Sequence, residues 1–303
     1  MPRGARLDAP GTLHHVIIRG INRRRIVDSD TDREDFVSSM GALAESTETK
    51  IYAWALMTNH AHILLQSATL GLSGYMRRLL TGYAIRYNRR HKRFGHLFQN
   101  RYKSIVCEED AYFKQLVRYI HLNPLRAKLV ASYAKLDRYP WCGHSAILGK
   151  VERGWQDSAY VLEWLGANKR AARQKYRSFV EKGIAEGKRP DLVGGGLGRS
   201  MGGWSQVVSM RRNGDFQQYD QRVLGSGDFV QAIVEEADAR MKRMLPLDER
   251  LKMARASVDE VCETDGVDPV ELKSGSRRGP ISRARAKISV KLVKEIGLSM
   301  AET

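Results

Sequence analysis

The sequence predicts an α+β fold: an antiparallel sheet covered by helices on one face, followed by a mainly helical extension. In the first 130 residues, short runs rich in β-branched and aromatic residues alternate with amphipathic stretches. Polar or glycine-containing turns separate these segments, as expected between strands and helices. Beyond residue 148 the strand pattern gives way to stretches with helical spacing.

The elements follow in order along the chain. A strand is predicted over 14–19, and a helix over 30–45 begins after polar residues suited to capping. Two apolar runs at 51–57 and 60–66 are separated only by Thr58-Asn59, which predicts a β-hairpin.

A long basic helix is predicted over 72–93, and a fourth strand over 101–107. Acidic residues at 108–110 suit the N-terminus of the next helix, which continues through Ile120. Pro124 is expected to open a further short helix. The order β-α-β-β-α-β-α is close to the ferredoxin-like pattern.

The length of 303 residues suggests two domains, predicted as 1–148 and 149–303. The second is expected to be a helical, DNA-binding extension whose end, 281–303, resembles the first part of a helix-turn-helix motif. A plain basic amphipathic helix is the alternative there. The extension is predicted to contain helices at 169–182, 228–245 and 282–296, and loops at 187–203 and 273–280.

Composition narrows the class of protein. Hydrophobic residues make up 42% and charged residues 28%, which describes an ordinary globular chain. No apolar run is long enough for a membrane span and no signal peptide is evident, so a cytoplasmic location is expected. The three cysteines lie far apart, which argues against a disulfide framework or a zinc knuckle.

The charge points to a polyanionic partner. Lys and Arg number 51 against 34 Asp and Glu, a net charge of +17. The 59 residues of 49–107 contain no acidic residue and ten basic ones. Aromatic residues lie between these cations, an arrangement that suits single-stranded nucleic acid, although helical spacing places some of them in a core. The interleaved aromatic residues are Tyr75, Tyr83, Tyr87, Phe94, Phe98 and Tyr102.

Two groups of residues carry candidate chemistry. His60 and His62 alternate along a predicted strand, so both side chains point to one face and can bind a divalent metal together. By itself this motif is a weak signal. Tyr119 and Asn123 lie one turn apart on a predicted helix, where a tyrosine nucleophile and an oxygen ligand can meet. Alternatively, Asn123 caps a helix that begins at Pro124, and Tyr119 is a half-buried aromatic residue.

Four blocks together resemble a known family. Residues 59–65 (NHAHILL) resemble the His-hydrophobe-His motif of the single-tyrosine HUH transposases. Residues 98–104 (FQNRYKS) and 119–127 (YIHLNPLRA) resemble two further blocks of that family, and 14–22 (HHVIIRGIN) its opening strand. The asparagine after the tyrosine is most similar to the REP-associated tyrosine transposases.

The resemblance implies a mechanism and partners. His60, His62 and Asn123 would hold Mg²⁺ or Mn²⁺, and Tyr119 would cleave single-stranded DNA near hairpins through a 5′-phosphotyrosine. The protein would act as a monomer or homodimer. It would be cytoplasmic and associated with the nucleoid. The arginines after the first strand form phosphate contacts or merely a solvated turn. The expected DNA-binding residues are Arg23, Arg24, Arg77, Arg78, Arg86, Arg89, Arg90, Arg101 and Lys103.

Two alternatives from other classes remain at this stage. One is a non-catalytic single-stranded nucleic-acid-binding protein, such as a domesticated regulator, in which the histidines and Tyr119 are dispensable. The other is a histidine-metal hydrolase acting on small phosphoesters, against which the long acid-free basic stretch argues.

Overall fold

The chain forms two compact units. The computed structural model describes residues 7–99, 101–187, 189–193, 220, 222–243, 245–274, 276 and 278–299. One unit holds Asp8–Gln231, and the other begins at Ala232. The predicted boundary after residue 148 falls inside the first unit, whereas the assignment of catalysis to 1–148 stays a prediction. Most of the predicted loop at 187–203 lies outside the described residues.

Strands and helices alternate in the first unit. Its strands are β1 (Leu13–Arg19), β2 (Lys50–Leu56), β3 (His60–Gln66), β4 (Lys103–Cys107) and β5 (Val223–Leu224). Its helices are α1 (Asp30–Ser46), α2 (Gly71–Arg90), α3 (Glu109–Arg126), α4 (Tyr133–Leu136), α5 (Gly143–Ile147), α6 (Ser158–Glu163) and α7 (Lys169–Lys182). Short 3-10 turns lie at Ile21–Arg23 and Pro190–Val193.

The sheet has the strand order β2-β3-β1-β4-β5. The first four strands pair antiparallel, and β5 adds to the edge of β4 in parallel. The predicted α+β fold, with a ferredoxin-like β-α-β-β-α-β core, is therefore confirmed.

Helices cover both faces of this sheet. Helices α1 and α2 pack with Ala61, Ile63 and Leu65 of β3 on one face, so the expectation that helices cover one face alone is wrong. Helix α3 packs on the other face, together with Leu64 and residues of α5, α6 and α7. Both faces of the central strands carry apolar side chains, so each needs a covering layer to be removed from water.

Helix α3 does not end where the sequence suggested. Pro124 was expected to begin a separate short helix, but α3 continues through it to Arg126. A proline this close to the end of a helix removes only one backbone hydrogen bond, and Asn123 still accepts a hydrogen bond from the amide of Ala127. Asn123 is consequently a side chain in the last turns of α3 and does not cap a new helix.

A buried hydrogen-bonded network attaches α7 to α3. The hydroxyl of Tyr176 lies 2.7 Å from Nδ1 of His121 and 2.8 Å from Nδ1 of His144. His144 Nε2 lies 3.0 Å from the carboxylate of Asp137, so His144 donates there and accepts the Tyr176 proton at Nδ1. Tyr176 therefore accepts from His121, and the network links the helix that carries Tyr119 to residues beyond 130.

The described residues from Ala232 onward are mainly helical, as predicted. The helices here are α8 (Gly227–Arg243, which begins in the first unit), α9 (Leu247–Asp265), α10 (Pro269–Lys273), α11 (Gly279–Val290) and a π-helical turn at Lys291–Ile296. A small core includes Ala254, Ile288 and Leu292. The helix-turn-helix interpretation of 281–303 stays a prediction, and 300–303 lie outside the described residues. Among the described helices, none is both long and apolar enough to cross a membrane.

Candidate active site

The two histidines of β3 lie side by side on the α3 face of the sheet. Their ring centroids are 5.3 Å apart. Their register is set by β1, in which Ile17 pairs with His62 and Arg19 with His60. The alternation of strand side chains puts Ala61 and Ile63 on the opposite face, in the core with α1 and α2.

Tyr119 of α3 meets these histidines. Its ring centroid lies 5.8 Å from that of His62, in an edge-to-face arrangement. Asn123 follows one helical turn later on the same side of α3. The structure thus brings together the four residues that the sequence singled out for catalysis and metal binding, although they come from segments about 60 residues apart.

His60, Tyr119 and Asn123 border a cleft of about 500 Å³, whereas His62 is buried next to His60 and does not line it. Its walls come from β3, β4, α3 and the 3-10 turn at Pro190–Val193. The cations that line it, besides the predicted Lys103, are Arg126 and Arg189. The full lining consists of Met57, His60, Lys103, Tyr119, Asn123, Arg126, Ala127, Arg189, Pro190 and Val193.

His60 is held in one tautomer by its neighbour. Its Nδ1 lies 2.7 Å from Oδ1 of Asn59, whose Nδ2 donates to the carbonyl oxygen of Arg23 at 3.0 Å. The Arg23 carbonyl fixes the orientation of the amide, so His60 must donate from Nδ1 and carry its lone pair on Nε2. A histidine oriented by such a hydrogen bond is suited to binding a metal through its other nitrogen.

His62 is oriented by a residue of β1. Its Nδ1 lies 2.9 Å from Nε2 of His15, a fully buried histidine. His15 Nδ1 in turn lies 3.1 Å from the carbonyl oxygen of Leu192. A hydrogen-bonded chain therefore connects the 3-10 turn at Pro190–Val193 with a candidate metal ligand.

Burial keeps these imidazoles neutral. Desolvation lowers the pKa of His15 and of His60 to about 4, and it lowers the pKa of His62 well below 6.5. For His60 the positive charge of Arg19 adds to the effect. Neutral imidazole is the form that binds a metal ion, so these ligands are ready at neutral pH.

Two effects shift the pKa of Tyr119 in opposite directions. Burial raises the pKa of Tyr119, and the charge of Arg126 partly opposes that rise. The Arg126 guanidinium carbon lies 5.6 Å from the centroid of the Tyr119 ring. Its Nε and Nη1 are buried without a hydrogen-bond partner among the described residues, as is Nδ2 of Asn123. Buried polar atoms without partners beside a cleft indicate a site built for a ligand.

Comparison with protein families identifies this region. Residues 11–123, from the start of β1 to Asn123, match the family of IS200-like transposases. This part of the chain belongs to the IS200-like transposase family. The match includes the histidine pair and Tyr119 of the transposase domain.

Two further comparisons were made. No curated protein matches the chain. One solved structure is described as a REP-associated tyrosine transposase bound to a REP hairpin. It superposes with a TM-score of 0.42 and 15% sequence identity, covering 50% of this chain and 87% of that one.

The arginines predicted to bind DNA are not all in one place. Lys103 lines the cleft of the transposase domain and donates to the carbonyl oxygen of Val193 at 2.7 Å. Helix α2 packs on the opposite face of the sheet, so its arginines lie away from the cleft. Two of those, Arg86 and Arg90, form ion pairs with carboxylates of α1. Within the described residues no ion pair engages the exposed Arg23, Arg24, Arg77, Arg78, Arg89 and Arg101.

The arginine turn after β1 requires a glycine. A Cβ on Gly20 would lie 2.1 Å from the carbonyl oxygen of Arg24, so the turn tolerates no side chain there. Asn22 and Arg23 then take positive φ angles of 50° and 59°. This tight turn presents Arg23 and Arg24 to solvent beside Asn59, the residue that orients His60.

Most of the aromatic residues in the basic stretch are structural. Tyr75, Tyr83 and Tyr87 are buried in the core beneath α2, and Phe98 and Tyr102 pack partly against it. Their burial confirms the expectation that helical spacing places some of these aromatic residues, Tyr83 and Tyr87 among them, in a core. Phe94 is 95% exposed and keeps the predicted character of a stacking surface.

Three residues of the cleft region escaped the sequence analysis as site residues. Arg126 could have been found, because it follows Tyr119 by two helical turns on one face. His15 was noted only within a motif, and Arg189 lies far along the chain. No local pattern joins Arg189 to the cleft; only folding brings it there.

A second group of potential metal ligands lies on the other side of the sheet. Ligand atoms of Asp28, Asp32 and His91 lie within 4.8 Å of one another. The Asp32 carboxylate already accepts hydrogen bonds from the Asp28 and Ser29 amides and from Arg90. The group is thus occupied in joining the start of α1 to the end of α2, away from Tyr119.

Proposed function

We propose that this protein is a metal-dependent transposase and endonuclease that cleaves and rejoins single-stranded DNA near hairpins through a phosphotyrosine. The observation that carries the proposal is the convergence of Tyr119, His60, His62 and Asn123 at one cationic cleft of a transposase domain. The apolar residues of β3 and α3 form the cores on the two faces of the sheet, and of these four side chains Tyr119 packs partly against one of them.

The donor set suits a divalent cation. His60 and His62 each use Nδ1 in a hydrogen bond, which leaves Nε2 as the atom for a ligand bond. Asn123 contributes an amide oxygen, and its buried, unpartnered Nδ2 indicates a side chain lacking its natural contact. Two imidazoles and an oxygen fit Mg²⁺ or Mn²⁺, and Mn²⁺ accepts nitrogen more readily. When bound, the cation would polarise a phosphodiester as a Lewis acid.

The chemistry of the chain itself centres on Tyr119. Its phenolic oxygen would attack the phosphorus of a DNA phosphodiester, forming the Oη–P bond and breaking the bond from phosphorus to the 3′-oxygen. The phenolic proton would end on the departing oxygen, leaving a free 3′-hydroxyl and a 5′-phosphotyrosine. Because the phosphotyrosine is again a phosphodiester, a 3′-hydroxyl can reverse the step and rejoin strands.

Arg126 supports this reaction in two ways. Its charge opposes the burial that raises the Tyr119 pKa, which favours loss of the phenolic proton. Its unpartnered Nε and Nη1 are donors of the kind that bind phosphate oxygens. Lys103 adds positive charge to the same cleft, whereas the charge of Arg189 there is offset by ion pairs with Asp191 and Glu186. A negatively charged polymer is consequently favoured over a neutral substrate.

The test is a covalent adduct. A labelled single-stranded hairpin oligonucleotide is incubated with the protein and Mn²⁺, and the products are separated under denaturing conditions. Wild-type protein should become labelled, and Tyr119→Phe should not, because only the hydroxyl is lost. Tyr112→Phe, on the same helix two turns earlier, is the matched control and should retain the adduct.

Three other results of this assay would contradict parts of the proposal. An adduct that persists in Tyr119→Phe would show that another residue is the nucleophile. Hairpin binding by wild-type protein with no adduct under any divalent ion would favour the non-catalytic nucleic-acid-binding alternative. Cleavage without an adduct would favour a hydrolase that uses water.

A further inference from the structure

The hydrogen-bonded chain from Leu192 to His62 has only one arrangement of protons. The Leu192 carbonyl oxygen is an acceptor only, so His15 must donate to it from Nδ1. A neutral His15 then carries its lone pair on Nε2, 2.9 Å from Nδ1 of His62. His62 must therefore donate from Nδ1 and carry its own lone pair on Nε2.

The surroundings of His15 maintain this state. The side chain is fully buried, and burial disfavours a charged imidazole. The planes of the His15 and His62 rings differ by 26° and their centroids lie 5.2 Å apart, as expected for two imidazoles that meet edge to edge through a nitrogen–nitrogen hydrogen bond. Both neighbours of His15 in the chain of hydrogen bonds are thus fixed in distance and direction.

We propose that His15 is a positioning residue for His62: by accepting the Nδ1 proton of His62, it keeps that ligand in the tautomer whose Nε2 is free to bind a divalent cation. The Leu192 carbonyl acts one step further out, because it sets the tautomer of His15. The proposal extends the proposed function, since it concerns the same metal site. It gives residues beyond 148 a part in preparing the catalytic centre.

His60 and His62 are then prepared by equivalent means. Asn59 accepts the Nδ1 proton of His60, and His15 accepts the Nδ1 proton of His62. Outer partners of this type commonly change metal affinity by about 10–100-fold when they are removed. Without His15, the Nδ1 hydrogen of a buried His62 has no acceptor, and the other tautomer becomes favoured.

The first experiment reads the tautomer directly. The metal-free full-length protein, labelled with ¹⁵N-histidine, is studied by long-range ¹H–¹⁵N correlation spectroscopy near neutral pH. Wild-type protein should show His62 protonated at Nδ1 only. His15→Leu should shift His62 toward the Nε2-protonated form, whereas His15→Gln, which retains an acceptor, should preserve the wild-type form.

A matched control separates positioning from packing. His14 is also fully buried on β1, but its Nδ1 contacts Ser104 and not His62. His14→Leu should therefore leave the His62 tautomer unchanged. Circular dichroism on all three variants confirms that each is folded, and His15→Gln carries the comparison if His15→Leu is not.

The second experiment measures Mn²⁺ affinity of the DNA-free protein by calorimetry. His15→Leu should weaken binding by about 10–100-fold, with most of the loss recovered in His15→Gln. The proposal is overturned if wild-type His62 is protonated at Nε2, or if His15→Leu changes neither tautomer nor affinity. The tautomer is read without DNA or metal, so a failed adduct assay with the expected tautomer would count against the proposed function alone.

Discussion

Replacing Tyr176 with phenylalanine should destabilise the transposase unit substantially. The hydroxyl joins His121 at 2.7 Å and His144 at 2.8 Å, and all three residues are fully buried. Tyr176→Phe leaves one donor and one acceptor unpaired in the core, at about 1–3 kcal/mol each. The expected loss is therefore about 2–6 kcal/mol, against a typical total stability of about 5–15 kcal/mol.

Urea denaturation followed by tryptophan fluorescence measures this loss. The urea concentration at the midpoint should fall. The slope of the unfolding free energy against urea concentration should stay constant, because the surface exposed on unfolding is unchanged. Tyr160→Phe is the matched control: its hydroxyl contacts the carboxylate of Glu109 at a partly exposed position, where water can replace the bond. A Tyr176→Phe midpoint equal to that of wild type would refute the hydrogen-bonding scheme that links α7 to α3.

Three further predictions concern metal, salt and pH. His60→Ala should abolish Mn²⁺-dependent adduct formation while retaining most hairpin binding; full activity in excess chelator would contradict it. Hairpin affinity should fall steeply as the salt concentration rises. In a plot of log affinity against log salt concentration, Arg77→Ala or Arg78→Ala should each reduce the slope by about 0.7–0.9 if that residue contacts a phosphate. Burial lowers the pKa of His14 from 6.5 to about 4, so its contribution to stability is complete above pH 6.5 and is lost as pH falls toward 4. The free energy of unfolding, measured by urea denaturation between pH 7.5 and 4, should decline accordingly. This group should account for up to roughly 3 kcal/mol of the decline.

The fold was largely predictable because its signals are local. Alternating apolar residues, a two-residue turn before His60 and the acidic start of α3 each act over a few positions. The helices on the second face of the sheet were not predicted, because no local pattern indicates on which side of a sheet a helix packs. The helix break expected at Pro124 was wrong, because α3 continues through the proline for two further residues and gives up one backbone hydrogen bond there.

The proximity of the candidate catalytic residues was predictable for a different reason. His60 and His62 share a face by strand alternation, and Tyr119 and Asn123 share one by helical spacing. The residues that support them were harder to find, because His15 lies 47 positions from His62 and 177 from Leu192. Likewise, the carboxylates that engage Arg86 and Arg90 come from α1, so a count of basic residues along the chain could not reveal these ion pairs.

The 3-10 turn at Pro190–Val193 also imposes an order on synthesis. When Asn123 has been added to the growing chain, 70 residues must still follow before Val193 is made. At about 5–20 residues per second, that delay lasts roughly 4–14 s. Throughout it, His15 lacks the Leu192 carbonyl and Lys103 lacks the Val193 carbonyl. A nascent chain therefore contains His60, His62, Tyr119 and Asn123 before it can complete the wall of the cleft, so the candidate site forms only some time after these residues have been translated.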